Sequence, residues 1–99
     1  MAKYAYHRTD SNAAELYDYA RSLGLSVEVI GRPVDIIVGA FGRMVAVEVK
    51  RPKGKLRPSQ VAFQHRWRGP FLVWRDKADV ERTLAYCQLG VWVEIRNAR

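Results

Sequence analysis

Val34-Asp-Ile-Ile-Val-Gly-Ala-Phe-Gly-Arg-Met-Val-Ala-Val-Glu-Val-Lys50 contains two runs rich in β-branched residues, Val34 to Val38 and Met44 to Lys50, on either side of Gly39-Ala-Phe-Gly42-Arg43. Two such runs joined by a short connection with two glycines predict a β-hairpin. Side chains alternate between the faces of a strand, so Val45, Val47 and Val49 share one face and Ala46, Glu48 and Lys50 the other. In the first run the same rule separates Val34, Ile36 and Val38 from Asp35 and Ile37. Pairing the strands through the short connection brings Asp35 close to Glu48. Two carboxylates and an ammonium are expensive to bury in an apolar hairpin unless a cation and hydrogen bonds compensate them, which makes Asp35, Glu48 and Lys50 candidates for function.

Working outward, Asn12 precedes Leu16, Tyr19, Ala20 and Leu23 at helical spacing, closed by Gly24, and predicts a helix over about 12–23. Leu25 to Ile30 alternates in period two before Gly31-Arg-Pro33 and reads as a strand and a turn. Pro58 suits the first turn of a helix running to about Arg68, where Gly69-Pro70 stops it, with Gln60, Phe63 and Trp67 on its inner face. Phe71 to Trp74 reads as a strand, and Lys77 to Gln88 as a helix with Val80, Leu84 and Cys87 inward. Val91 to Ile95 reads as a last strand. The order is αβββαβαβ. No repeat, linker or low-complexity segment interrupts it, so residues 1–99 are expected to form one α/β domain with a mixed sheet.

An apolar fraction of 48% with 11% aromatic residues describes a packed domain, not a disordered segment. A net charge of +7 attracts polyanions and puts nucleic acid first among partners. Lys50, Arg51, Lys53, Lys55, Arg57, Arg66 and Arg68 follow one another with no Asp or Glu between them. That stretch fits a phosphate-binding surface and equally a solvated loop and helix face. The single cysteine, Cys87, excludes an internal disulfide, and two distant histidines, His7 and His65, do not suggest a zinc site. Without a signal-like N-terminus or an apolar run of spanning length, a soluble cytoplasmic protein with no membrane partner is expected.

Two carboxylate oxygens plus the backbone carbonyl of Val49 would make a hard oxygen site suited to Mg²⁺ or Mn²⁺. Lys50 would then orient or deprotonate a water and stabilise charge developing on a phosphate. Read alone, the D-x12-E-x-K string also fits an edge hairpin whose polar face meets water. Glu15, in Asn12-Ala-Ala-Glu15, fits a third metal-directed carboxylate and equally a capping box tied back to its own helix. Gln60 fits a partner of phosphate or Lys50, or of a nearby backbone group. Tyr86, Trp74 and Trp92 are more apolar surface than so small a core comfortably hides, which suggests a symmetric dimer.

Asp10-Ser-Asn-Ala-Ala-Glu15, Val34-Asp-Ile-Ile-Val-Gly39, Val47-Glu-Val-Lys50, Leu56-Arg-Pro-Ser-Gln60 and Trp67-Arg-Gly69, in that order along nearly the whole chain, resemble the small stand-alone VRR-NUC nucleases of phages and bacteria. The resemblance implies a PD-(D/E)xK nuclease-like αβββαβ core followed by a helix and strand. It also implies Mg²⁺- or Mn²⁺-dependent hydrolysis of DNA phosphodiesters, and a homodimer acting on branched DNA such as four-way junctions. Carried onto this chain, Glu15, Asp35 and Glu48 become metal ligands, Lys50 the catalytic lysine and Gln60 an accessory glutamine. Arg51, Lys53, Lys55, Arg57, Arg66 and Arg68 become the DNA-binding residues. The compartment would be the host cytoplasm for a phage-encoded chain. One departure bears on the strand start: the family has proline directly before the aspartate, whereas Val34 separates Pro33 from Asp35 here. Against this stands a basic nucleic-acid-binding or docking subunit of a larger DNA-processing complex, without catalysis.

Overall fold

The computed structural model describes residues 12–93. In chain order they form α1 (Ala13–Ser22), β1 (Ser26–Val29), β2 (Ile36–Ala40), β3 (Arg43–Val49), α2 (Pro58–Arg66), β4 (Phe71–Trp74) and α3 (Lys77–Leu89). The hairpin read from the sequence is the centre of a four-stranded mixed sheet in the order β1-β2-β3-β4. The β1–β2 and β2–β3 pairings are antiparallel and the β3–β4 pairing is parallel. Parallel neighbours need a crossover, which residues 50–57 and α2 supply. No described helix is long and apolar enough to cross a membrane.

Ala40 pairs with Arg43, so only Phe41 (φ 54°) and Gly42 (φ 76°) turn the hairpin. Two successive left-handed residues give the type I′ turn, whose twist matches that of paired strands. Glycine adopts it freely; Phe41 does so at a cost of about 1–2 kcal/mol. Gly39, expected in the connection, belongs to β2.

On one face of the sheet, Ile36, Val38, Val45, Val47 and Val49 pack with Leu16 and Ala20 of α1 and with Val80 and Cys87 of α3. The other face carries a smaller cluster in which Phe63 of α2 meets Ala46 and Val34. Asn12 pins α1 to the end of the sheet where β3 and β4 finish, its Nδ2 donating to the carbonyls of Lys50 (3.1 Å) and Arg75 (3.2 Å). At the opposite end Arg43 Nη1 donates to the Cys87 carbonyl (2.7 Å), tying the hairpin tip to α3. Asp76 caps α3, accepting from the Asp79 N–H, and left-handed Gly90 closes it.

Several expectations need correcting. Val34 lies outside the β2 ladder and joins the α2-side cluster, opposite Ile36 and Val38, because pairing starts only at Ile36. Val91 to Val93 are not in a strand, and the rest of the expected last strand lies outside the described residues, as do Asp10, Ser11 and His7. Trp67 ends α2 half-exposed, its ring stacked 5.3 Å from Phe63 and its indole N–H donating to the Pro70 carbonyl. Trp74 is no surplus aromatic: it is fully buried, and its indole N–H donates to Thr83 Oγ1 at 2.8 Å.

Thr83, an unpredicted member of the inner face of α3, is itself fully buried. Thr83→Val keeps the volume but strands the indole N–H without an acceptor. Urea unfolding should show a loss of about 1–3 kcal/mol with an unchanged slope, and no loss would mean that Trp74 is held by packing alone.

Candidate active site

Asp35 immediately precedes β2, and Glu48 is the last-but-one residue of β3. Each carboxylate holds the backbone of the other's strand. The Asp35 N–H donates to Glu48 Oε1 (3.1 Å), and the Val49 N–H donates to Asp35 Oδ2 (2.8 Å). The Asp35 carbonyl accepts from the N–H groups of Ile30 (2.9 Å) and Gly31 (3.1 Å), which fixes the residue from the β1 side. From the other layer Gln60 Nε2 donates to Glu48 Oε2, while Gln60 Oε1 accepts from the Arg57 N–H (2.7 Å) at the start of α2. One amide thus caps a helix and orients a carboxylate. Of the two sequence readings of Gln60, the structure shows the backbone partner; its other partner is Glu48 and not Lys50.

Glu48 is only 3% exposed. Burial, and next the neighbouring Asp35 charge, push its pKa up to about 7; the hydrogen bond from the Asp35 backbone and the charges of Lys50 and Arg57 act the other way. Lys50 follows β3, its N–H bonded to the Trp74 carbonyl (2.9 Å). It acts on Glu48 through its charge and does not itself line the cleft.

That cleft, about 680 Å³, has Asp35, Glu48 and Gln60 in its lining together with Arg32, Arg57 and Arg66. Of the six basic residues singled out in the sequence, Arg57 and Arg66 therefore stand beside the carboxylates. Arg51, Lys53 and Lys55 project from the exposed crossover loop, and Arg68 lies exposed beyond α2. Arg75 braces the loop from beneath, Nη1 donating to the carbonyls of Arg51 (3.2 Å) and Gly54. Arg32 was missed because its neighbours Gly31 and Pro33 mark it only as part of a turn.

Glu15 does not reach this site. It is exposed on α1 with its carboxylate 3.9 Å from Lys77 Nζ of α3. Nor does the expected capping box form, since Asn12 makes no side-chain cap bond and spends its amide on the two strand-end carbonyls. Instead α1 brings Tyr17 toward the carboxylates: burial, then Asp35, then Glu48 raise the pKa of its phenol. The Tyr17 hydroxyl and Asn12 Oδ1 are the buried side-chain oxygens without a hydrogen-bond partner among the described residues. A tyrosine beside the Ala13–Leu16–Ala20 stripe reads as core, so no sequence signal marked it.

Among the described residues no three His, Cys, Asp or Glu side chains gather into a metal-binding group. A cation here would rest on the carboxylates of Asp35 and Glu48 and on the Val49 carbonyl. In an extended strand that carbonyl faces the same side as its N–H, toward Asp35. Few protein ligands with water completing the shell suits Mg²⁺ or Mn²⁺ and not zinc. Buried Glu48 beside the like charge of Asp35 fits such an ion, since without one Glu48 holds a proton close to neutrality. Comparison with protein-family models, with curated proteins and with solved structures gave no match.

The folded chain holds the Glu48 proton more tightly than the unfolded chain, whose carboxyl titrates near 4.5. The stability this lends is full below about pH 4.5 and is lost as pH rises through about 7. Urea unfolding without divalent cations should therefore weaken over that window by on the order of 3 kcal/mol. Glu48→Gln should flatten this part of the profile, and an unchanged slope would remove Glu48 as its source.

Proposed function

We propose that the chain is a Mg²⁺- or Mn²⁺-dependent nuclease of the PD-(D/E)xK type, similar to the VRR-NUC group, that hydrolyses DNA phosphodiesters, branched DNA included. The observation that carries the reading is the pair of buried Glu48 and partly buried Asp35, mutually braced and set in a cleft lined by three arginines. Such a cation supplies polarisation of the phosphate and a more acidic water. Asp35, Glu48 and the Val49 carbonyl would hold it, with Gln60 keeping Glu48 in orientation. Arg32, Arg57 and Arg66 grip the phosphate and its neighbours, replacing the water that a polyanion loses on entering the cleft. Lys50, whose charge reaches Glu48 from outside the cleft lining, would offset negative charge as it grows on the phosphate oxygens. The loop bearing Arg51, Lys53 and Lys55 leads the duplex toward the carboxylates.

The proposed active form is a two-fold dimer that brings two such sites to one branched substrate. Exposed Phe41 and Met44 at the hairpin tip, with exposed Leu89 at the end of α3 and Val91 and Trp92 after it, supply an apolar surface away from the cleft. Trp92 stacks on Tyr86 at 4.4 Å.

Plasmid and four-way-junction DNA, incubated with Mn²⁺ or Mg²⁺, should be cut by the native chain and not in excess EDTA. Glu48→Ala and Lys50→Ala should each lower the rate by a factor on the order of 10² or more while the fold persists. Near-normal cutting by either variant would remove that residue from the site. Ca²⁺, which takes more ligands at longer distances, should support binding without efficient cutting. Sedimentation at micromolar concentration should return twice the 11.4 kDa chain mass, and a strict monomer would overturn the dimer alone.

A further inference from the structure

Helix α1 reaches the carboxylate end of the sheet, yet its one acidic residue near that end, Glu15, turns to Lys77. What α1 does present there follows from its flanks. Glu15 and Tyr19 face α3, pairing with Lys77 and with Glu81. Arg21 faces β1, its Nη2 donating to the Val27 carbonyl (3.4 Å). Tyr17 lies one turn before Arg21 on that second flank. Helical side chains lean toward the helix N-terminus, and the N-terminus of α1 is pinned by Asn12 at the end where β3 finishes beside Asp35. The Tyr17 hydroxyl is therefore delivered to the carboxylate end.

On arrival it is enclosed and has no hydrogen-bond partner among the described residues. A buried hydroxyl left without a hydrogen bond is costly, so it calls for a partner that the described residues do not supply. The adjacent Asp35 and Glu48 favour a cationic species, and a small hard cation held by few protein ligands keeps several waters. Those waters are strong donors and a phenol oxygen accepts.

We infer that Tyr17 is a positioning residue of the carboxylate site, its hydroxyl accepting a hydrogen bond from a water in the shell of a divalent cation held by Asp35 and Glu48. The inference rests on the cation reading above. It gives α1 an outer contact through a phenol in place of a direct carboxylate ligand.

Tyr17→Phe removes only that oxygen. Manganese binding without DNA, followed by the paramagnetic resonance signal of free Mn²⁺, should weaken roughly 10-fold or more in the variant, the range found for groups that orient metal ligands. Urea unfolding in EDTA should meanwhile leave the variant as stable as the native chain or more so, because an unsatisfied buried hydroxyl is gone. A variant that binds Mn²⁺ as the native chain does would overturn the inference, and so would one equally destabilised with and without Mn²⁺, which marks a structural role. If the native chain takes up no Mn²⁺, or Glu48→Gln binds it as well as the native chain, the cation reading itself falls and this inference with it.

Discussion

The reciprocal bracing of Asp35 and Glu48 is the constraint on which the rest is arranged. Each side chain accepts a backbone N–H that the ladder leaves over where β2 begins and β3 ends. Those N–H groups would otherwise be buried without partners, so the two acids are structural as well as available for chemistry. The bracing also sets their separation, because each is anchored to the other's strand and neither can drift without breaking a main-chain bond. Like charges brought this close repel, and that repulsion adds to the effect of burial in raising the pKa of Glu48. The sheet, with valines tight beneath, keeps the pair from relaxing apart.

The hairpin was legible because period two and a two-glycine connection are strong local signals, and alternation alone put Glu48 with Ala46 and away from the valines. Helix positions were equally local: Pro58 and Gly90 stand at the start of α2 and the end of α3. What failed was long-range. Whether Glu15 points to the sheet or to α3 depends on how α1 is rotated, and that is set by Asn12 bonding Lys50 and Arg75. No pattern within α1 carries such information. Val34 failed for a related reason, since alternation holds only inside a paired strand and Val34 precedes the pairing. Tyr17 and Arg32 became visible only when tertiary packing set them beside the carboxylates.

The two ends of the sheet are made of different chemistry. One gathers the carboxylates, Gln60 and the arginines of the cleft. The other gathers Phe41, Met44 and the residues after α3, tied in by Arg43. Separation of this kind would let the proposed apolar association and polyanion binding use different surfaces of a small domain, so that one need not obstruct the other. It also explains why Phe41 tolerates a left-handed backbone at the tip: the turn geometry that closes the hairpin is the same one that lifts the ring into solvent.

Gln60 gives the molecule a property that neither of its bonds has alone. Helix ends fray more readily than helix centres, and a first turn normally opens and closes without consequence for residues elsewhere. Here the amide that closes the first turn of α2 is the same amide that holds Glu48. Each opening of that turn therefore releases a carboxylate, and a cation that fixed the carboxylate would slow the opening of the turn. Amide hydrogens at the start of α2 would thus report on whatever holds Glu48, readable by exchange with solvent deuterium without any reaction being run.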